Sequence, residues 1–182
     1  MSYPRYLKVN FNYNFLLETD YSKSNSCLFH QKYEQKDAYS KHGELPDTYN
    51  EYNTSIHQVW WNKTDFDIKD IEEQLKMEVI SISTIKQDPG NIIPMHKDIF
   101  KKIKDQYDIT GKKIVRANIH LDEWNPGQVI QYQKNGEWKS HTHWKVNDGL
   151  MFDDSCLHIG MNGGLKPKYT MQISGFYNGK VI

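Results

Sequence analysis

His96 and Asp98 stand two apart in the stretch Ile93-Pro94-Met95-His96-Lys97-Asp98. In a β-strand, residues two apart project from one face, so an imidazole and a carboxylate are offered together. Such a pair can hold part of a metal site and needs a third ligand from elsewhere. The stretch Asp153-Asp154-Ser155-Cys156-Leu157-His158 can supply it through His158. Two imidazoles, one carboxylate and open positions suit Fe(II) and leave room on the ion for a further reactant.

The elements around these residues must bring them together. Turn signals recur along the second half of the chain, at Asp88-Pro89-Gly90-Asn91, Asn125-Pro126-Gly127, Asn135-Gly136 and Asn147-Asp148-Gly149. Between them lie short strand-like runs. Residues 79–85 alternate, residues 92–97 carry His96, and residues 113–121 alternate again. In that last run Val115, Ala117, Ile119 and Leu121 form an apolar face. Arg116, Asn118 and His120 form the opposite one, which either meets solvent or lines a polar cavity. Residues 128–133 and 137–146 flank Asn135-Gly136, the strongest hairpin signal present. Residues 150–152 lead toward His158, and residues 169–177 are the last strand. Helices are expected over 65–77, capped by Thr64 or Asp65, and over 99–107. Many short strands with regular turns predict a mainly β fold, a closed sandwich or barrel with a few flanking helices.

The first sixty residues are less periodic. Residues 6–11 and 56–61 look strand-like. The tyrosine-rich stretch 21–52 reads as a long loop, either a surface cover or a lid over the His96 site. The 182 residues are expected to form one domain, with 1–60 as the cover and 79–177 as the β core. Lysine plus arginine and aspartate plus glutamate number 23 each, so the net charge is zero. That balance disfavours a nucleic-acid partner and an anionic membrane surface. Two cysteines without a CxxC motif, and no apolar leader or membrane-length run, point to a reduced cytoplasmic protein.

Other side chains compete for a role. His141 and His143 have same-face strand spacing, and exposed histidines are the plainer reading. His120 either lines the cavity or is a structural histidine. Asp153 and Asp154 either orient His158 or make a turn. Cys156 is a small buried filler, and Trp60, Trp61, Trp124 and Trp144 are core or rim residues.

His96-x-Asp98, then His158, then Lys168 ten residues further on, resembles the order found in the 2-oxoglutarate/Fe(II) oxygenase superfamily. The similarity covers roughly residues 83–176. It is carried by Gln87-Asp88-Pro89-Gly90-Asn91-Ile92-Ile93-Pro94-Met95-His96-Lys97-Asp98, by Val115 to Gln128, by Trp144 to Gly149, and by His158 through Pro167-Lys168-Tyr169 to Gly175. It is nearest to aspartyl/asparaginyl-hydroxylase-like enzymes and small phage-encoded members. The resemblance implies a double-stranded β-helix, the jelly roll also seen in cupins. It implies His96, Asp98 and His158 as iron ligands and as the catalytic centre. It implies 2-oxoglutarate and O₂ as co-substrates, with Lys168 meeting the far carboxylate and Arg116 and Asn118 near the chelating end. The family's basic residue is more often arginine. Lys168 follows the prolyl-hydroxylase-like pattern and replaces a bidentate fork with a point charge. The expected activity is hydroxylation of an amino-acid side chain, free or in a peptide or protein. Two alternatives stand beside it: a non-catalytic cupin-like metal- or ligand-binding protein, and a nucleotide or nucleic-acid base oxygenase.

Overall fold

A computed structural model describes residues 3–23, 26–27, 41–43 and 46–179. Eleven strands run in chain order among them. They are β1 (Arg5–Lys8), β2 (Ser26–Cys27), β3 (Ser55–Trp61), β4 (Met77–Gln87), β5 (Ile92–His96), β6 (Ile114–His120), β7 (Gln128–Lys134), β8 (Glu137–His141), β9 (Asp148–Asp153), β10 (His158–Asn162) and β11 (Lys168–Tyr177). Two α-helices whose residues are all described accompany them, α1 (Ile68–Leu75) and α2 (Lys101–Gln106).

The strands form two antiparallel sheets. The larger has the order β1-β9-β6-β11-β4-β3-β2 and the smaller β5-β10-β7-β8. Consecutive strands alternate between the sheets, as in a double-stranded β-helix: β4 and β5, then β6 and β7, then β9 and β10. The mainly β closed architecture expected from the turn pattern is therefore what the chain forms, in the jelly-roll form that the family resemblance implies.

The alternation in β6 shows why the sheets close on each other. Val115, Ala117 and Ile119 are fully buried on one face, in a core shared with Leu16, Ile71 and Leu75 of the N-terminal segment and α1. Arg116, Asn118 and His120 take the other face, which looks between the two sheets. Asn118 and His120 do not face solvent, since both are buried, and Arg116 is half-buried. The polar side of this strand is thus the lining of a barrel interior, and the solvated alternative is excluded.

Several boundaries differ from the sequence expectation, each for a local reason. The expected helix over 65–77 is a short 3₁₀ turn followed by α1. Its cap is neither Thr64 nor Asp65 but Asp67, whose side chain accepts from the Asp70 backbone N–H. Asp65 instead completes a capping box with Asn62 on the 3₁₀ turn. The expected strand 137–146 ends at His141, because the chain turns through His143 and Asn147, both with positive φ. The expected strand 6–11 is displaced to β1, which pairs only along Arg5 to Lys8 with β9. The Asn135-Gly136 hairpin forms as expected: both residues have positive φ and Lys134 pairs with Glu137. Within the proposed lid, Tyr21–Lys23 is a 3₁₀ turn and β2 pairs with β3. Residues 28–40 lie outside the described residues. No helix among the described residues is long and apolar enough to cross a membrane.

Candidate metal centre

His96 is the last residue of β5, and β5 is the edge of the small sheet. An edge strand tolerates Pro94, which has no N–H to give a ladder. The pairing with β10 is irregular: His158 faces His96, whereas Gly160 faces Ile93. Three steps along β5 therefore match two along β10, a β-bulge centred on Pro94 and Met95. The bulge turns both Ile93 and His96 into the interior, which a regular strand would place on opposite faces. It also sets His96 against His158, with ring centroids 4.2 Å apart.

Each imidazole is fixed through its Nδ1. His96 Nδ1 lies 2.8 Å from the Pro94 carbonyl and His158 Nδ1 lies 3.1 Å from the Cys156 carbonyl. A carbonyl only accepts, so Nδ1 carries the proton in both rings and the Nε2 lone pairs remain for a ligand. Phe152 stacks on His158 at 4.2 Å and holds the ring plane. Burial lowers the His96 pKa and brings that of His158 down to about 3. Both are neutral at pH 7, the form that binds a metal.

Asp98 lies beyond the end of β5, so the same-face strand argument does not apply to it. It reaches the site from the following loop. One carboxylate oxygen, Oδ1, accepts from Arg116 Nη1, and the other, Oδ2, is buried without a protein partner. Burial alone would raise this pKa, but Arg116 and the two histidines bring it below the ordinary carboxylate value. Arg116 is itself held by Ser174 Oγ, 3.0 Å from its Nε, and by the Phe100 ring beneath the guanidinium. The ligand atoms of His96, Asp98 and His158 all lie within 4.8 Å of one another. An unpartnered buried carboxylate oxygen beside two available imidazole nitrogens fits a divalent transition metal.

A cavity of about 50 Å³ runs inward from the two histidines to Lys168, between Asn118, Gln172 and Thr170. Lys168 opens β11 and is 4% exposed. Among the described residues its ammonium donates one hydrogen bond, to the Met161 carbonyl at 3.2 Å. Burial lowers its pKa to about 7, against a raising influence from Asp122. A buried ammonium with donors to spare is an incomplete arrangement that an anion would complete. Asn118 Oδ1 accepts from Gln172 Nε2 at 2.8 Å. A second, larger cavity of about 510 Å³ opens on the other side of His96 and Asp98, beneath α2 and β3.

The other candidates separate from this site. His141 is buried rather than exposed, while His143 is exposed and stacks on Trp124, so the two do not share a face. His120 stacks on Trp144 at 3.8 Å, and neither ring nitrogen has a protein partner. Its burial was foreseeable from β6, but its stacking partner was not. Asp153 pairs with Lys113 and accepts from Ser155, and Asp154 pairs with Lys104. Asp153 ends β9 and Asp154 begins the turn, and among the described residues neither is bonded to His158. Cys156 is buried, with its pKa pushed up to about 12 by desolvation. The roles of Phe152, Ser174 and Phe100 had no signal in the sequence, because none carries a metal-ligating group.

No family model matches the sequence, and no curated protein matches it. Solved structures do match. A non-haem α-ketoglutarate-dependent carbocyclase, SnoK from nogalamycin biosynthesis, superposes with a TM-score of 0.58 at 9% identity, over 95% of this chain and 79% of that one. The α-ketoglutarate-dependent epimerase SnoN from the same biosynthesis gives 0.55 at 8%, over 94% and 76%. A Pseudomonas putida prolyl-4-hydroxylase gives 0.52 at 13%, over 91% and 98%. At these identities the likeness is one of fold. The chain shares the jelly roll of 2-oxoglutarate/Fe(II) oxygenases.

Proposed function

We propose that this protein is an Fe(II)- and 2-oxoglutarate-dependent dioxygenase. In this reading it hydroxylates an amino-acid side chain, free or in a peptide or protein, in the manner of aspartyl/asparaginyl-hydroxylase-like enzymes. One observation carries the reading: the two histidines of the three grouped ligand residues and the buried Lys168 ammonium line opposite ends of one small cavity. A barrel that merely bound a metal would gain nothing from a buried cation at the far end, whose desolvation is costly.

His96, Asp98 and His158 would hold the iron. Iron with 2-oxoglutarate and O₂ supplies an oxidant able to replace a C–H hydrogen by hydroxyl. The chain's own residues bind, orient and exclude. Lys168 meets the far carboxylate of the co-substrate by a charge-assisted hydrogen bond. By the family resemblance Asn118 and Arg116 would flank the chelating end; Asn118 lines that cavity, and Arg116, paired with Asp98, keeps it ionised. Phe152, Ile85, Ile93 and Ile130 make that cavity's apolar wall and keep water from it. A cytoplasmic location accompanies this reading, since Cys156 is a free thiol.

The test is anaerobic addition of Fe(II) and 2-oxoglutarate. A weak visible charge-transfer band is expected for the wild type and none for His96→Ala or His158→Ala. Succinate release should fall with Lys168→Ala. A band that survives loss of either histidine overturns the assignment. Iron binding with no succinate from either protein favours the cupin-like binder.

A further inference from the structure

The larger cavity, of about 510 Å³, has the metal ligands His96 and Asp98 at its floor and solvent at its mouth. Its charged lining is one-sided. Asp98 and Arg116 are paired with each other, Lys97 has a partner of its own, and the other charged lining residues are Lys101 and Lys102. No other carboxylate lines it among the described residues. This excess sits in a chain whose net charge is zero, so it is a local arrangement and not a reflection of bulk composition.

Aromatic surface lies at the same mouth. Trp60 on β3 is 56% exposed and Tyr107 beyond α2 is 42% exposed. Lys102 Nζ stands 5.5 Å from the Trp60 ring centroid, so cation and ring border one opening. Between rim and floor the polar lining is neutral and amide-rich: Gln58, Gln106 and Gln172, with Ser81. Such groups pair with peptide N–H and C=O groups.

Accepting the iron site of the preceding section, we infer that this cavity takes an amino acid or peptide segment bearing carboxylates. The segment's reacting side chain points to the metal ligands, and its acidic groups meet Lys101 and Lys102. Two cations on flexible stems suit single carboxylates better than one phosphate, which is bound by converging donors. A nucleic-acid strand would need a row of cations continuing beyond the cavity, and the balanced charge argues against one.

The test uses the protein with Fe(II) and 2-oxoglutarate under anaerobic conditions, read by calorimetry and by the visible band. The probes are a short glutamate-rich peptide, its glutamine counterpart, a lysine counterpart, free L-glutamate and a thymidylate oligomer. The glutamate peptide is expected to bind at least tenfold tighter than the glutamine peptide and to shift the band. Binding by free L-glutamate would make the source of the carboxylate a free amino acid and support the same chemistry. The double variant Lys101→Glu/Lys102→Glu should lose at least tenfold for the glutamate peptide and gain binding of the lysine peptide, which a misfolded protein would not do. Equal binding of the glutamate and glutamine peptides overturns the inference, as does tighter binding of the thymidylate oligomer. A wild type that gives no band but binds the glutamate peptide by calorimetry defeats the iron reading and leaves the acidic-ligand assignment standing.

Discussion

At the scale of single residues, Arg116 and Lys168 decide how the site is charged. Arg116 keeps Asp98 anionic in a buried place and leaves its Oδ2 for a ligand. Replacing it, as in Arg116→Met, should weaken Co(II) binding tenfold or more, the usual cost of losing a partner that holds a metal ligand. A Co(II) titration unchanged by the substitution would remove Asp98 from the ligand set. Lys168 makes a pH dependence. In the ligand-free protein its pKa is about 7, down from an ordinary 10.5, because it is buried. Between those values the unfolded chain binds the proton and the folded chain does not, so stability rises with pH across that window. Co-substrate binding runs the other way. The far carboxylate needs the ammonium form, so affinity is greatest below about pH 7 and falls by up to about tenfold per unit above it. Calorimetry of 2-oxoglutarate binding at several pH values checks this. Lys168→Arg, whose guanidinium stays charged, should flatten the profile.

At the scale of elements, the site depends on two departures from regularity. The bulge in β5 re-aims His96, and a second register shift in β11 falls between Ser174 and Gly175. Ser174 holds Arg116, so this second bulge also bears on the site. A Cβ at Gly175 would come within 1.8 Å of the Glu78 carbonyl oxygen, and backbone cannot yield as a flexible side chain does. Gly175→Ala is therefore expected to cost about 1–3 kcal/mol and to weaken metal binding as β11 shifts. Chemical denaturation and a Co(II) titration on the same variant read both effects. Asp67→Ala removes the cap of α1 and should cost about 1 kcal/mol with metal binding intact, since α1 packs on the outer face of the large sheet. Loss of the metal signal in that variant would show that the outer layer supports the site more directly than its position implies.

At the scale of the whole molecule, the centre joins the two sheets. His96 and His158 belong to the small sheet, while Asp98 is tied through Arg116 to β6 and through Ser174 to β11 of the large one. A bound ion would staple the layers and stabilise only the folded chain. At a hundredfold excess over its dissociation constant it adds about 2.7 kcal/mol, or roughly 5–10 °C in melting temperature for a chain of this length. A chelator should remove that increment from the wild type and leave His96→Ala unchanged. An equal response of both proteins would place the ion elsewhere.

Much was determined by the sequence alone. Turn residues and alternation sufficed for a closed β sandwich or barrel, because Asn135-Gly136 and the two-faced run at Val115–Leu121 are local, period-two signals, and the family resemblance narrowed it to a jelly roll. The order His96, Asp98, His158, Lys168 sufficed to nominate the site, because chemistry-bearing side chains are conspicuous by type. The tertiary structure decided what depends on partners distant in the chain. Strand parity put Asp98 on the face of His96, whereas it lies beyond β5, and parity could not show Ile93 and His96 both turned inward, because a bulge is a property of the pairing with β10 and not of either strand. His141 and His143 parted because β8 ends where the chain needs positive φ. Arg116 became the partner of Asp98 only when β6 and the loop after β5 met. The lysine rim likewise exists only as an assembly: Lys101 and Lys102 lie on α2 and Trp60 on β3, and burial and charge act through space.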